Sequence, residues 1–338
     1  MRDIMLKVNQ DSYAYASGLL RARELKLLDK NRIDRMLEAT KAEDAYRVLA
    51  EAEYGMDIDS IKSVFDFESL LAEEMKKTYD LLLEIGPDEE VINVFQKRYD
   101  YFNMKVLLKA ELSNQDAPPI LLDTGFYDTD ELVRMIRDRD YEQLDQIMQN
   151  AIAQVYDVFS RTRDSQVIDL IFDKALYHQL YVELKGIKSK FANELADIIV
   201  DITNIKMFTR LKALNKPLEF IEKVLLDGGI IDENIYFDNV ETSTDDFLND
   251  IEWTEYSKTI QKSIKNNKDI HTLEKVLDDH LMNYIIQQSK QVTIGIEPFI
   301  AFLFAKEAEI KNVRIILTGK INGLSNDLIR ERLRLVYV

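Results

Sequence analysis

The sequence predicts an almost entirely α-helical protein built from three related units of about 100 residues each. Three observations carry this reading. Glycine and proline together number 15 of 338 residues, about 4 % against a usual ~12 %, too few for the corners of a sandwich or barrel. Apolar residues step by three or four, and no stretch sustains a period of two. An octapeptide of pattern Leu-Leu-Asp-x-(Asn/Gly)-x-x-Asp occurs three times.

The first octapeptide is LLDKNRID, Leu27 to Asp34. The second is LLDTGFYD, Leu121 to Asp128, and the third LLDGGIID, Leu225 to Asp232. Each reads as a helix end followed by a helix start. Asn31, Gly125 and Gly229 are expected in the left-handed conformation that stops a helix. Asp34, Asp128 and Asp232 are expected to cap the next one.

Pro87, Pro217 and Pro298 each precede a long periodic segment, as proline does at a first helical turn. After Pro87, the acids Asp88, Glu89 and Glu90 suit the positive end of the helix dipole. Val91, Phe95, Tyr99, Phe102 and Val106 then form a predicted apolar stripe. Ile198, Ile202, Ile205, Phe208 and Leu211 predict another.

Such segments carry a second recurring motif: an acid, Asn three residues on, and a base two further. Its copies are Asp100/Asn103/Lys105, Asp201/Asn204/Lys206 and Glu309/Asn312/Arg314. On a helix the acid and Asn share a face and the base points nearly opposite. Because a buried Asn needs partners, the pairs are expected to tie helices together rather than to line a binding rim.

The two motifs in alternation place unit 1 at residues 1–114, unit 2 at 115–215 and unit 3 at 216–338, with short seams at Asn114 to Pro119 and Ala213 to Pro217. Without flexible linkers the units are expected to pack in a closed or bowl-shaped pseudo-three-fold arrangement.

Composition excludes several chemistries. With no cysteine there is no disulfide framework, thiol nucleophile, zinc knuckle or iron–sulfur cluster. A net charge of −17 disfavours binding to nucleic acid or anionic lipid. The amino end, MRDIMLKVNQ, has no apolar core of a signal peptide. No run reaches the ~18 apolar residues of a membrane span, so a cytoplasmic protein meeting membranes only through partners is expected.

His178, His271 and His280 follow no metal-ligand spacing. Gly319-Lys320 lacks the remainder of a phosphate loop and reads as a helix end capped by Gly319, with a further turn at Gly323. Asp245-Asp246 resembles the acidic magnesium motifs of helical prenyl-diphosphate enzymes, but Asn249 displaces the third acid. Thr242, Ser243 and Thr244 favour a plain helix start. Asp278-Asp279 reads as a solvated helix face, and Trp253 as buried. No catalytic, cofactor-binding or metal-binding residue is therefore expected.

The segment from Glu297 to Leu333, with Lys306-Glu307-x-Glu309-Ile310, Asn312-Val313-Arg314, Gly319-Lys320 and Gly323-Leu324, resembles the closing signature of the V-type ATPase C subunit family, whose eukaryotic counterpart is the d subunit. Tyr15, Arg21, Arg23 and Leu27-Leu28 resemble that family's opening helix, and QKRYDYFNMKVLL fits its middle. The resemblance implies an all-helical funnel of three subdomains around a pseudo-three-fold axis. It implies a rotor component without an active site or cofactor, set between the shaft of the D and F subunits and the membrane proteolipid ring, passing torque between ATP turnover and ion movement. A helical scaffold or adaptor unrelated to ATPases is the alternative, and a magnesium-dependent helical enzyme is disfavoured because triplicated units lack convergent acids.

Overall fold

A computed structural model describes residues 2–52, 54, 66–116, 118–264 and 270–337; Ala117 in the first predicted seam lies outside the described residues. Among the described residues there are sixteen helices and no strand. In chain order they are α1 (Arg2–Glu24), α2 (Lys30–Glu38), α3 (Ala42–Ala50), α4 (Phe67–Ile85), α5 (Glu89–Leu112), α6 (Thr129–Asp138), α7 (Gln146–Thr162) and α8 (Gln166–Gly186). There follow α9 (Lys190–Ala213), α10 (Leu218–Val224), α11 (Glu233–Asp238), α12 (Thr244–Asp250), α13 (Glu255–Ile264), α14 (Ile270–Gln291), α15 (Glu297–Ile321) and α16 (Asn326–Arg332).

By contact density the chain forms two compact bodies: Met1–Ile92 with Glu255–Val338, and Asn93–Thr254. The first is organised around α15. Phe299, Ile300, Phe302, Leu303, Ile310, Val313, Ile316 and Leu317 are all buried, so the helix is apolar around its circumference, the pattern of a central rather than a surface helix. α1, α2, α3, α4, α14 and α16 pack on it. Pro298 lies in its first turn, as expected.

In the second body, Tyr101, Met104 and Leu108 of α5 share one core with Leu132 and Ile136 of α6, Met148 and Val155 of α7, and Phe172 of α8. A second aromatic knot joins Phe208 of α9 to Tyr236 and Phe247, with ring centroids 5.4 and 4.7 Å away.

Helix ends depart from expectation in an orderly way. Asn31 lies inside α2, whose cap is Asp29 accepting from Arg32 N; Asp34 is therefore a helical residue, not a cap. Asp128 and Asp232 do cap α6 and α11. The three motif-bearing helices stop instead at Asn114, Asn215 and Gly323, with φ of 51°, 51° and 68°. Each stop lies eleven residues after its motif Asn, and each is closed by a backbone bond from the next residue: Gln115 N to Ala110 O, Lys216 N to Leu211 O and Leu324 N to Gly319 O, at 2.9, 3.0 and 2.9 Å. Gly319 thus stays inside α15, where a Cβ would lie 2.6 Å from Ile329 Cγ1: it is a packing glycine, and Gly323 is the stop.

Three further assignments need correction. On α5, Val91 and Phe95 are buried but Phe102 is exposed, because Tyr101, Met104 and Leu108 take the core side of the helix. Trp253 is 57 % exposed rather than buried. Pro217 precedes only the seven-residue α10, not a long helix.

Candidate functional site

The two recurring motifs meet. On α5, Asn103 Nδ2 donates to Leu122 O (2.7 Å), and Leu122 N–H donates to Asn103 Oδ1 (2.8 Å). One turn earlier, Asp100 accepts from Phe126 N (2.9 Å) and Tyr127 N (3.1 Å). On α9 the pattern repeats. Asn204 pairs with Leu226 through both backbone groups (3.0 and 2.9 Å), and Asp201 accepts from Ile230 N and Ile231 N (3.1 and 3.2 Å). Each motif therefore grips the octapeptide that follows it: an amide reads one residue's N–H and C=O, and a carboxylate holds two successive N–H groups further along. These side chains are buried, so each bond replaces a hydrogen bond to water that burial removes.

This grip explains the glycines. A Cβ on Gly125 or Gly229 would fall within hydrogen-bonding distance of the Asp100 or Asp201 Oδ1, which is steric overlap for carbon. At Gly125 the requirement is space alone; Gly229 also has φ +83°. Asn31 occupies the same place in the first octapeptide but lies inside α2. Arg32 N is held by Asp29 instead.

The third motif is divided. Asn312 pairs with Arg334, donating to its carbonyl (3.1 Å) and accepting from its N–H (2.8 Å). Glu309 instead accepts from Leu28 N of the first octapeptide and from the Tyr54 hydroxyl (2.8 Å). Lys306 Nζ reaches Glu309 (2.8 Å) and Glu74 (2.9 Å), all three side chains being nearly inaccessible. Burial alone would lower the Lys306 pKa; the two carboxylates outweigh it and hold the ammonium above its usual range. The same surroundings hold the Tyr54 phenol well above its usual range.

Burial pushes the Asp100 carboxyl up to about 7, against the lowering pull of the Phe126 and Tyr127 N–H groups and of Lys97. The motif bases point away, as expected: Lys105 pairs with Asp173 (2.5 Å) and Arg314 with Glu68 (2.8 Å).

The remaining acids fall into place individually. Ser243 and Asp246 form a reciprocal capping box at α12. Asp278 and Asp279 are not a solvated face. Asp278 binds Lys311 (2.9 Å) and Arg334 (2.8 Å), and Asp279 accepts from Leu335 N (2.8 Å). Spacing carries no signal for this role, because the Leu335 partner lies 56 residues away. His280 Nδ1 lies 3.1 Å from the Thr259 hydroxyl. Among the described residues no group of His, Asp and Glu is arranged to hold a metal, and no helix is long and apolar enough to cross a membrane. The chemistry these arrangements support is the fixing of backbone.

A family model described as ATP synthase (C/AC39) subunit matches residues 16–332. The chain is similar to the C subunit of the V-type sodium ATPase of Enterococcus hirae, 28 % identical over 329 residues that cover 96 % of this chain and 99 % of that protein. It is also similar to the C subunit of the A-type ATP synthase of Methanocaldococcus jannaschii, 25 % identical over 95 % of this chain and 86 % of the relative. The C subunit of the A-type ATP synthase of Methanosarcina mazei is 25 % identical over 98 % and 95 %.

Proposed function

The chain belongs to the ATP synthase (C/AC39) subunit family, and on that premise we propose that it is a non-catalytic part of the central stalk of a rotary V/A-type ATPase. In this reading it joins the shaft, made of the D and F subunits, to the membrane proteolipid ring and carries torque between them. It sits at the membrane through these partners rather than by insertion, and uses no cofactor of its own. The observation that carries the reading is the family match, which runs through both motif series from the first octapeptide to α16.

Three units in a funnel around a pseudo-three-fold axis belong to the same proposal. The recurrence of the amide grip at α5, α9 and α15 supports three related units. A torque-bearing part needs rigid elements, and side chains that bolt loops onto helices supply rigidity without a large apolar core at each loop. The charge of −17 supports docking onto basic partner surfaces, where charge sets orientation and encounter rate more than affinity.

Co-purification tests this. The tagged chain, drawn from solubilised membranes, is expected to bring down a rotary ATPase, with recovery falling as salt rises through the range where the Debye length shrinks from ~10 to ~3 Å. Recovery of the chain alone, or with proteins unrelated to an ATPase, would contradict it.

A further inference from the structure

The third grip differs from the other two in what fills it. At Asn204 the partner, Leu226, is 22 residues further on and directly follows the C-cap of the seven-residue α10. At Asn312 the partner, Arg334, is also 22 residues further on and directly follows the C-cap of the seven-residue α16. The caps Leu225 and Leu333 have nearly the same backbone, φ/ψ −58°/140° and −64°/143°. Arg334 is thus the register equivalent of Leu226, and residues 333–337 lie where an octapeptide begins.

The carboxylate half has gone elsewhere. In place of Asp there is Glu309, one methylene longer, and it binds Leu28 N of the first octapeptide. The two segments meet at the seat: Leu27, Leu28 and Ile33 line, together with Val336 and Tyr337, a cavity of about 10 Å³ over Glu309 and Asn312.

Residues 333–337 have no helix or strand of their own and are half-buried. They are fastened by discrete polar ties: the Asn312 pair, Leu335 N to Asp279, Arg334 to Asp278, and the Tyr337 hydroxyl to Glu24 (2.8 Å), which also binds Arg21. None of these ties is shared with the bonds from Leu28 and Tyr54 that hold Glu309.

We propose that residues 333–337 are a releasable strap over α14 and α15, which opens while the first octapeptide stays locked on Glu309. Because the seat is split, strap release frees the Asn312 amide and Asp279 from their strap partners but leaves Glu309 bound to Leu28 N and Tyr54. Asp100 and Asp201 would lose their backbone partners if their octapeptides detached. Arg334 and Leu335 line one side of a groove of about 180 Å³ whose other walls include Asp278, Met282, Phe304 and Lys311. Strap opening widens that groove and bares its apolar floor.

The absence of native cysteine makes thiol labelling a clean test. Val336→Cys reports on the strap. Ser17→Cys, a near-isosteric change at a fully buried site in α1, reports on the body, with Ala305→Cys as a second reporter should that variant not fold. Labelling of the full-length protein is followed under native conditions and in low urea. Because position 336 is half-buried and position 17 fully buried, the strap thiol reacts faster than the body thiol with or without opening, so opening is read from a urea dependence that is shallower than the body thiol's yet above zero, the signature of a sub-global opening. Adding Asn312→Ala should speed strap labelling about tenfold, since both backbone bonds of the grip are lost. Equal urea slopes for the two thiols, or a strap rate independent of urea, would overturn the proposal, as would a strap rate unchanged by Asn312→Ala.

Discussion

At the scale of single residues, the carboxylate of each grip decides what its neighbour can be. Gly125→Ala and Gly229→Ala each force a methyl group onto a buried aspartate and are expected to lower stability by about 1–3 kcal/mol. Asn31→Ala, exposed at the equivalent place, should change it by less than about 0.5 kcal/mol. Urea midpoints of the three variants check this ordering. Asp100 gives a pH signature. Its carboxyl is raised to about 7 by burial, from about 3.9 in an unfolded chain. Between those values the folded protein holds a proton that the unfolded chain has lost, so this group's contribution falls as pH rises from about 4 to about 7. Lys97 and Asp145 act on it as well, the first lowering and the second raising its pKa. Asp100→Asn, which cannot titrate, should flatten that part of the stability–pH curve; an unchanged slope in urea midpoints from pH ~4 to ~8 would contradict the assignment.

At the scale of elements, the helix stops carry the repeat more faithfully than the octapeptides do. Sequence pattern locates the motif helices, Pro298 and the caps Asp128 and Asp232. It does not separate a glycine needed for space from one needed for backbone conformation, because Gly125 and Gly229 look alike in sequence and only the second has positive φ. The true stops are hidden because two of the three are asparagine, which tolerates the left-handed region but signals it weakly. Asn114 and Asn215 are exposed and left-handed. Replacing either by Gly is expected to be neutral or to add up to about 1 kcal/mol, whereas Val should cost about 1–2 kcal/mol. Thermal unfolding of the four variants reads the difference. The roles of Asp278 and Asp279 are illegible for another reason: their partners are backbone and side-chain groups of a distant segment, and no local spacing encodes them.

At the scale of the whole molecule, the alternation of two motifs is legible in the sequence, because each motif is a hydrogen-bonding requirement that must be met at fixed positions. The handover is not legible: the first two grips hold the octapeptides after them, and the carboxylate of the last holds the first octapeptide. Trp253 is misread from sequence because a lone aromatic carries no periodicity to place it. The proposed role is coupling rather than catalysis. Its most direct test compares membranes lacking the chain with membranes to which it is restored, following ATP hydrolysis and ion uptake together. The detached soluble sector is expected to hydrolyse ATP without the chain, while ATP-driven ion uptake is lost and returns on restoration. Full ion uptake in its absence would contradict the coupling role.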